Sequence, residues 1–257
     1  MKRVYKMMLV AASVSVLFAC GSGGSGSGAT GPSAGGSTGG GTSGGTTTPT
    51  TPTNSVFQGV KSLDGAAAGT ATYDAANAKY VYNFNGSQID VTSRGITAGT
   101  VVDMTVGGNK QMIGGTSYAY SRFGAIGPVG NLDASDVFYV GQKTVNMPTS
   151  GAAVYKGLVI GMKDGDGVAF DYAPVSFDVN FGAKTISGKV EDDSAIRFEQ
   201  APISGNSFAG KLLDDDKGGS YSGAFFGPAA QELGGIGKFN LDADGESGAF
   251  SFGAKKQ

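Results

Sequence analysis

The chain has 257 residues; 46 are Gly, one is Cys, none is His or Trp, and 19 basic against 21 acidic side chains leave a net charge of −2. This composition excludes a Ser-His-Asp or Cys-His nucleophile, a zinc site built on His or free thiolates, and an intramolecular disulfide. The lack of a basic excess or of basic runs argues against nucleic acid as a partner.

Lys2, Arg3 and Lys6 form a positive start, followed by an apolar run over residues 7–18. That run has signal-peptide length and falls short of the roughly 20 residues of a membrane span. It ends in Leu17-Phe18-Ala19-Cys20, which resembles the lipobox of bacterial lipoproteins. The resemblance implies cleavage after residue 19, a diacylglycerol thioether on Cys20 and an acyl chain on its amine. Gly21, where Asp would favour inner-membrane retention, implies passage to the outer membrane. Several acyl chains together anchor stably, because each buried CH₂ contributes about 0.8 kcal/mol. Losing the three leader cations leaves 16 basic and 21 acidic side chains, a net charge of −5.

Residues 20–54 read as a lipidated Cys and a tether. Of the 34 residues in 21–54, 31 are Gly, Ser, Thr or Pro, and none is charged. Such a segment cannot offset its ordering entropy by burial. A Gly/Ser chain of this length spans about 30 Å root-mean-square.

From Val56 the apolar residues recur with period two, which predicts strands. Tyr80, Tyr82 and Phe84 share one face, as do Val102, Met104 and Val106, and Gly107-Gly108 turns the latter run back toward Met112. Tyr118, Tyr120 and Arg122 alternate in the same way. The clearest run is Val175, Phe177, Val179 and Phe181, with Ser176, Asp178 and Asn180 on the wet side. About eight strands follow Thr149, spaced as an up-and-down meander whose closure into a barrel would remove its edges. Gly157, Gly188 and Gly223 are expected at bends of this barrel. Only Pro228 to Leu233 is expected to make a helical turn. The expected fold is therefore all-β: a β-rich segment over 55–145, then an eight-stranded antiparallel barrel over 146–257.

Four stretches carry a family resemblance: residues 147–157, 177–188, 203–210 and 221–235. The last is the most specific; its aromatic strand Tyr221 to Phe226, the turn Gly227-Pro228, Ala229, Glu232 and the pair Gly234-Gly235 all keep their spacing. Together they resemble the barrel of transferrin-binding protein B and its Slam-type surface lipoprotein relatives. The resemblance implies a small β-rich handle before the barrel, with room in this chain for a single handle-barrel lobe. It also implies display on the cell surface, a ligand that is a macromolecule or carries iron or haem, and an outer-membrane translocator or receptor as a further partner. Single-lobe relatives include binders of haem, of haemoglobin and of a complement regulator.

Candidate ligand contacts in the handle are Tyr118, Tyr120, Arg122 and Tyr139. With His absent, haem would need a Tyr or Met axial ligand, for which Tyr118, Tyr120, Tyr139, Met104 and Met112 are candidates. Gly182-Ala183-Lys184-Thr185 lacks the spacing of a phosphate loop. Asp164-Gly165-Asp166 and Asp242-Ala243-Asp244 do not continue into a calcium loop and read as hairpin turns. The acidic runs 191–193 and 214–216 read as solvated loops. The leading reading is a non-catalytic capture protein for nutrient uptake. The alternative is a structural or adhesive envelope protein; a third reading, a calcium-dependent hydrolase, needs carboxylate pairs that sequence does not locate.

Overall fold

The computed structural model describes residues 56–62, 67–74, 76–92, 101–163, 169–192, 195–214, 217–239 and 248–257. The leader, Cys20, the tether and the turns at Asp164, Asp166, Asp242 and Asp244 lie outside the described residues.

Among the described residues the period-two pattern resolves into 16 strands. Those before the barrel are β1 (Val56–Ser62), β2 (Thr70–Asp74), β3 (Lys79–Phe84), β4 (Ser87–Asp90), β5 (Val101–Val106), β6 (Asn109–Gly114), β7 (Ser121–Pro128) and β8 (Asp136–Gln142). They make a five-stranded sheet in the order β1-β8-β7-β6-β5 and a three-stranded sheet in the order β2-β3-β4. The remaining strands are β9 (Ala152–Lys163), β10 (Ala169–Asn180), β11 (Thr185–Val190), β12 (Arg197–Ser204), β13 (Ser207–Asp214), β14 (Lys217–Phe226), β15 (Glu232–Phe239) and β16 (Ala249–Lys256). These eight close into an antiparallel barrel, with β16 paired to β9.

The barrel is filled by side chains. Val175, Phe177 and Val179 of β10 point inward and are buried, while Asp178 and Asn180 point out. Phe198 is the hub, with ring centroids of Phe177, Tyr221 and Phe252 at 4.8, 5.1 and 5.2 Å. Edge-on and tilted ring packing of this kind adds to the area buried.

The strand glycines have a more specific role than bending. In the register Gly188 faces Phe177, Gly223 faces Phe208, Gly235 faces Phe252 and Gly237 faces Phe250. Each ring lies over its opposing glycine, so that an added Cβ would fall 2.2–2.5 Å from a ring carbon. A small barrel crowded with Phe needs these vacancies to seat its rings. Gly157 differs: its missing Cβ lets the Gly253 carbonyl of β16 approach.

The central strands β7 and β8 of the five-stranded sheet are covered on both faces. Along β8, Val137 and Tyr139 pack toward the barrel with Phe123 and Phe226, whereas Phe138 and Val140 pack toward the three-stranded sheet with Tyr82 and Phe84. Burial on both faces gives continuous apolar runs in place of alternation.

Two expectations need correction. Residues 118–120 precede β7 as a loop, so the alternation of Tyr118, Tyr120 and Arg122 is not that of one strand. Residues 227–230 form a turn and β15 begins at Glu232, while the short 3₁₀ segment lies at Leu132–Ala134. In both places a tertiary contact, described next, sets the local conformation.

Candidate functional site

The junction between handle and barrel is built around Glu232, the first residue of β15. It is 1% exposed, and its carboxylate faces the 119–121 loop. It accepts the N–H of Ala119 at 2.7 Å, the N–H of Tyr120 at 3.0 Å and the hydroxyl of Ser121 at 2.8 Å. These bonds fold the loop back on the barrel and explain why no strand forms there. Burial holds the Glu232 carboxyl above its usual range, opposed by those three donors and by the Arg122 charge.

The predicted ligand residues gather at this junction. Arg122 is 7% exposed; it donates to the carbonyls of Thr92 at 2.8 Å, Tyr118 at 2.7 Å and Ser121 at 2.6 Å, and its guanidinium lies over the Tyr80 ring. The Tyr80 hydroxyl donates to the Tyr120 carbonyl at 2.8 Å, and burial pushes its pKa up to about 12. Tyr118 is half-buried and packs with Phe123. Tyr139 is buried against Phe226. Tyr118, Tyr120 and Tyr139 thus pack between the five-stranded sheet and the barrel, while Arg122 lies against Tyr80 and Thr92 on the side of the three-stranded sheet. Among the haem-ligand candidates, Met112 and Tyr139 are buried in this packing, and Met104 is 39% exposed.

A second bridge runs along the connection into the barrel. Thr144 donates its N–H to the Phe225 carbonyl at 2.9 Å and its hydroxyl to the Gly227 carbonyl at 2.7 Å. Gly227 donates to the Gln142 carbonyl at 2.9 Å, and Asn206 donates to the Thr144 carbonyl at 2.6 Å. The turn at 227–230 is therefore clasped by the handle, which sequence spacing registered in Gly227-Pro228 and Glu232 without giving the reason.

An exposed apolar surface lies elsewhere on the handle. The β5–β6 hairpin turns at Gly107 and Gly108, both with positive φ, and Val129 donates its N–H to the Gly108 carbonyl at 2.9 Å. Val106 is 54% and Val129 60% exposed there. Met104, two residues before Val106 on the strand face the sequence predicted, is exposed as well, so the hairpin presents apolar side chains to solvent. Among the described residues, β5 is paired only with β6, so its other edge is open.

Residues 147–256 match the family described as the C-lobe and N-lobe β-barrels of Tf-binding protein B. Transferrin-binding protein B of Moraxella catarrhalis is 29% identical over 175 residues, covering 56% of this chain and 24% of that protein. Among solved structures, a mutant transferrin-binding protein B from Haemophilus parasuis Hp5 superposes with a TM-score of 0.60 at 22% identity, over 79% of this chain and 45% of that one. HpuA from Kingella denitrificans, solved in complex with human haemoglobin, gives a TM-score of 0.54 at 15% identity, over 78% of this chain and 85% of that one. The chain thus spans about a quarter of the curated relative's length and less than half of the Haemophilus parasuis structure's. The barrel, residues 147–256, thus matches the family of transferrin-binding protein B lobe barrels, and the strands before it share the fold of the solved relatives.

Proposed function

We propose that the protein is a lipid-anchored outer-membrane surface protein that captures an iron-bearing protein, of the transferrin or haemoglobin class, for nutrient acquisition. Its handle tip makes the contact. The observation that carries this reading is the family match over 147–256 together with an exposed apolar tip on the handle. Isolated exposed apolar residues are ordinary, but neighbours clustered at a hairpin turn suit a protein interface. The junction residues Tyr118, Tyr120, Arg122 and Tyr139 act by fixing the tip's position relative to the barrel. Cys20 carries the lipid, and residues 21–54 let the lobe stand off the membrane and hand its cargo to an outer-membrane receptor.

The test is biolayer interferometry of the full chain against iron-loaded transferrin, haemoglobin and free haem. Val106→Glu with Val129→Glu is expected to abolish capture of the iron protein and leave the thermal melt unchanged. Growth under iron limitation separates uptake from adhesion: a deletion strain that grows normally but loses attachment would overturn the reading in favour of the adhesive role. Mass spectrometry of the exported protein checks acylation at Cys20.

A further inference from the structure

Strand register assembles a row of cations on the outer wall of the barrel. Lys255 of β16 lies opposite Lys156 of β9, Lys156 opposite Ser176 of β10, Ser176 opposite Lys189 of β11, and Lys189 opposite Arg197 of β12. Their chain neighbours Ala254, Tyr155, Val175, Val190 and Phe198 fill the core. The row therefore points outward, and its four cations are exposed. At about 4.8 Å per strand it is roughly 19 Å long. Lys255 and Lys156 oppose each other directly, an arrangement that repels unless an anion intervenes. The next residue beyond Lys255 in the row is Glu232, whose carboxylate is committed to the handle loop.

The middle of the row already holds an anion. Ser176 Oγ donates to Glu191 Oε1 at 2.5 Å, and Lys189 Nζ lies 3.1 Å from Glu191 Oε2. Lys156 adds its field, and the Ser176 and Lys189 contacts hold the Glu191 carboxyl below its usual range. Glu191 follows β11 directly and its side chain is 39% exposed. It sits in the Lys156–Ser176–Lys189 cradle as a tethered carboxylate. The other acids nearby are Asp178, two residues along β10 on the same face, Asp192 beside Glu191, and Glu199, two residues past Arg197. Lys255, Lys156 and Arg197 have no ion pair among the described residues.

We propose that this seam docks an extended acidic peptide segment of a partner protein, whose carboxylates displace Glu191 and meet the flanking cations. The group the cradle holds is a carboxylate, which favours this chemistry. Same-face side chains of an extended peptide recur about every 6.6–6.8 Å, and the flexible four-carbon stems of Lys, rooted roughly 5 and 10 Å apart, can reach them. The seam crosses five of the eight strands of a closed barrel, so a flat membrane meets only part of it. This surface is separate from the apolar handle tip, and its failure would leave the capture of an iron protein untouched.

The test is fluorescence anisotropy of a labelled octapeptide of alternating Glu and Ala with the full chain at low ionic strength. Lys156→Gln with Lys189→Gln is expected to weaken binding roughly five- to tenfold, as loss of two exposed ion pairs would. Glu191→Gln is expected to tighten it roughly two- to fivefold by removing the resident competitor, a sign that general charge loss does not single out. Asp133→Asn, the same charge change on the handle, is the control. Equal effects of Glu191→Gln and Asp133→Asn, or no effect of the double Lys variant, would overturn the proposal. So would a seam-dependent response to dextran sulfate or to anionic vesicles without binding of the peptide.

Discussion

The Glu232 carboxylate accepts the Ala119 backbone N–H at 2.7 Å across 113 residues of sequence. With Tyr120 and Ser121 it gathers three donors from one loop. A single acidic side chain at the start of a barrel strand thus fixes the path of the handle loop and the placement of Arg122 beside it.

Replacing Glu232 with Ala should remove all three acceptor contacts and leave buried donors unpaired. A loss of about 2–4 kcal/mol is expected, since each unsatisfied buried donor costs about 1–3 kcal/mol and relief of carboxylate burial offsets part of it. Urea denaturation measures this directly. Glu232→Gln keeps an acceptor oxygen for the backbone N–H groups and should lose less than half as much.

The same residue gives a signed pH dependence. Its folded pKa is raised above the ordinary 4.5 by burial, so the folded state binds the proton more tightly than the unfolded chain. Its favourable contribution is fully present below 4.5 and is lost as pH rises through the folded value. Denaturation of the protein and of Glu232→Gln at pH 4.5 and 7.5 should show the difference between them moving toward the native residue at the lower pH. A shift in the opposite direction would mean that the three donors outweigh burial.

The ring-over-glycine pairs make a graded prediction. A Cβ on Gly235 would meet the Ser222 backbone carbonyl at 2.3 Å as well as the Phe252 ring, whereas on Gly237 the three nearest atoms all belong to the Phe250 ring. Backbone cannot yield as a ring edge can. Gly235→Ala should cost about 2–3 kcal/mol and Gly237→Ala about 1 kcal/mol, within the range for overpacked sites. Thermal melts of the two variants check the order.

Phe198 contacts the rings of Phe177, Tyr221, Phe250 and Phe252. Phe198→Ala should destabilise the barrel by about 3–5 kcal/mol through lost burial and the cavity left behind. Loss of near-ultraviolet circular dichroism at a lower denaturant concentration is the readout.

The barrel was legible because one face of each strand is dry and the other wet, as Val175 to Asn180 display. The handle sheet was less so. With both faces of β8 covered, Val137 to Val140 carry no alternation to read. Tyr118, Tyr120 and Arg122 read as one alternating stripe, but their surroundings come from both directions along the chain: Glu232 and Gly253 of the barrel reach Tyr120 and Tyr118, whereas Thr92 and the Tyr80 ring hold Arg122. Glu232 was visible as part of a spaced motif, but its donors were not. The cationic seam shows the same limit in another form. Lys156, Lys189, Arg197 and Lys255 are scattered singly along the chain, and only hydrogen-bond register makes them neighbours.

The strand that seals the barrel against β9 is β16, the last of the eight in chain order. It contributes Phe250, Phe252 and Ala254 to the interior. Until those residues have left the ribosome the cylinder lacks its seam, and its longest-range pairing cannot form. The nascent barrel is thus kept open during synthesis, and it shuts only once the eighth of its strands arrives.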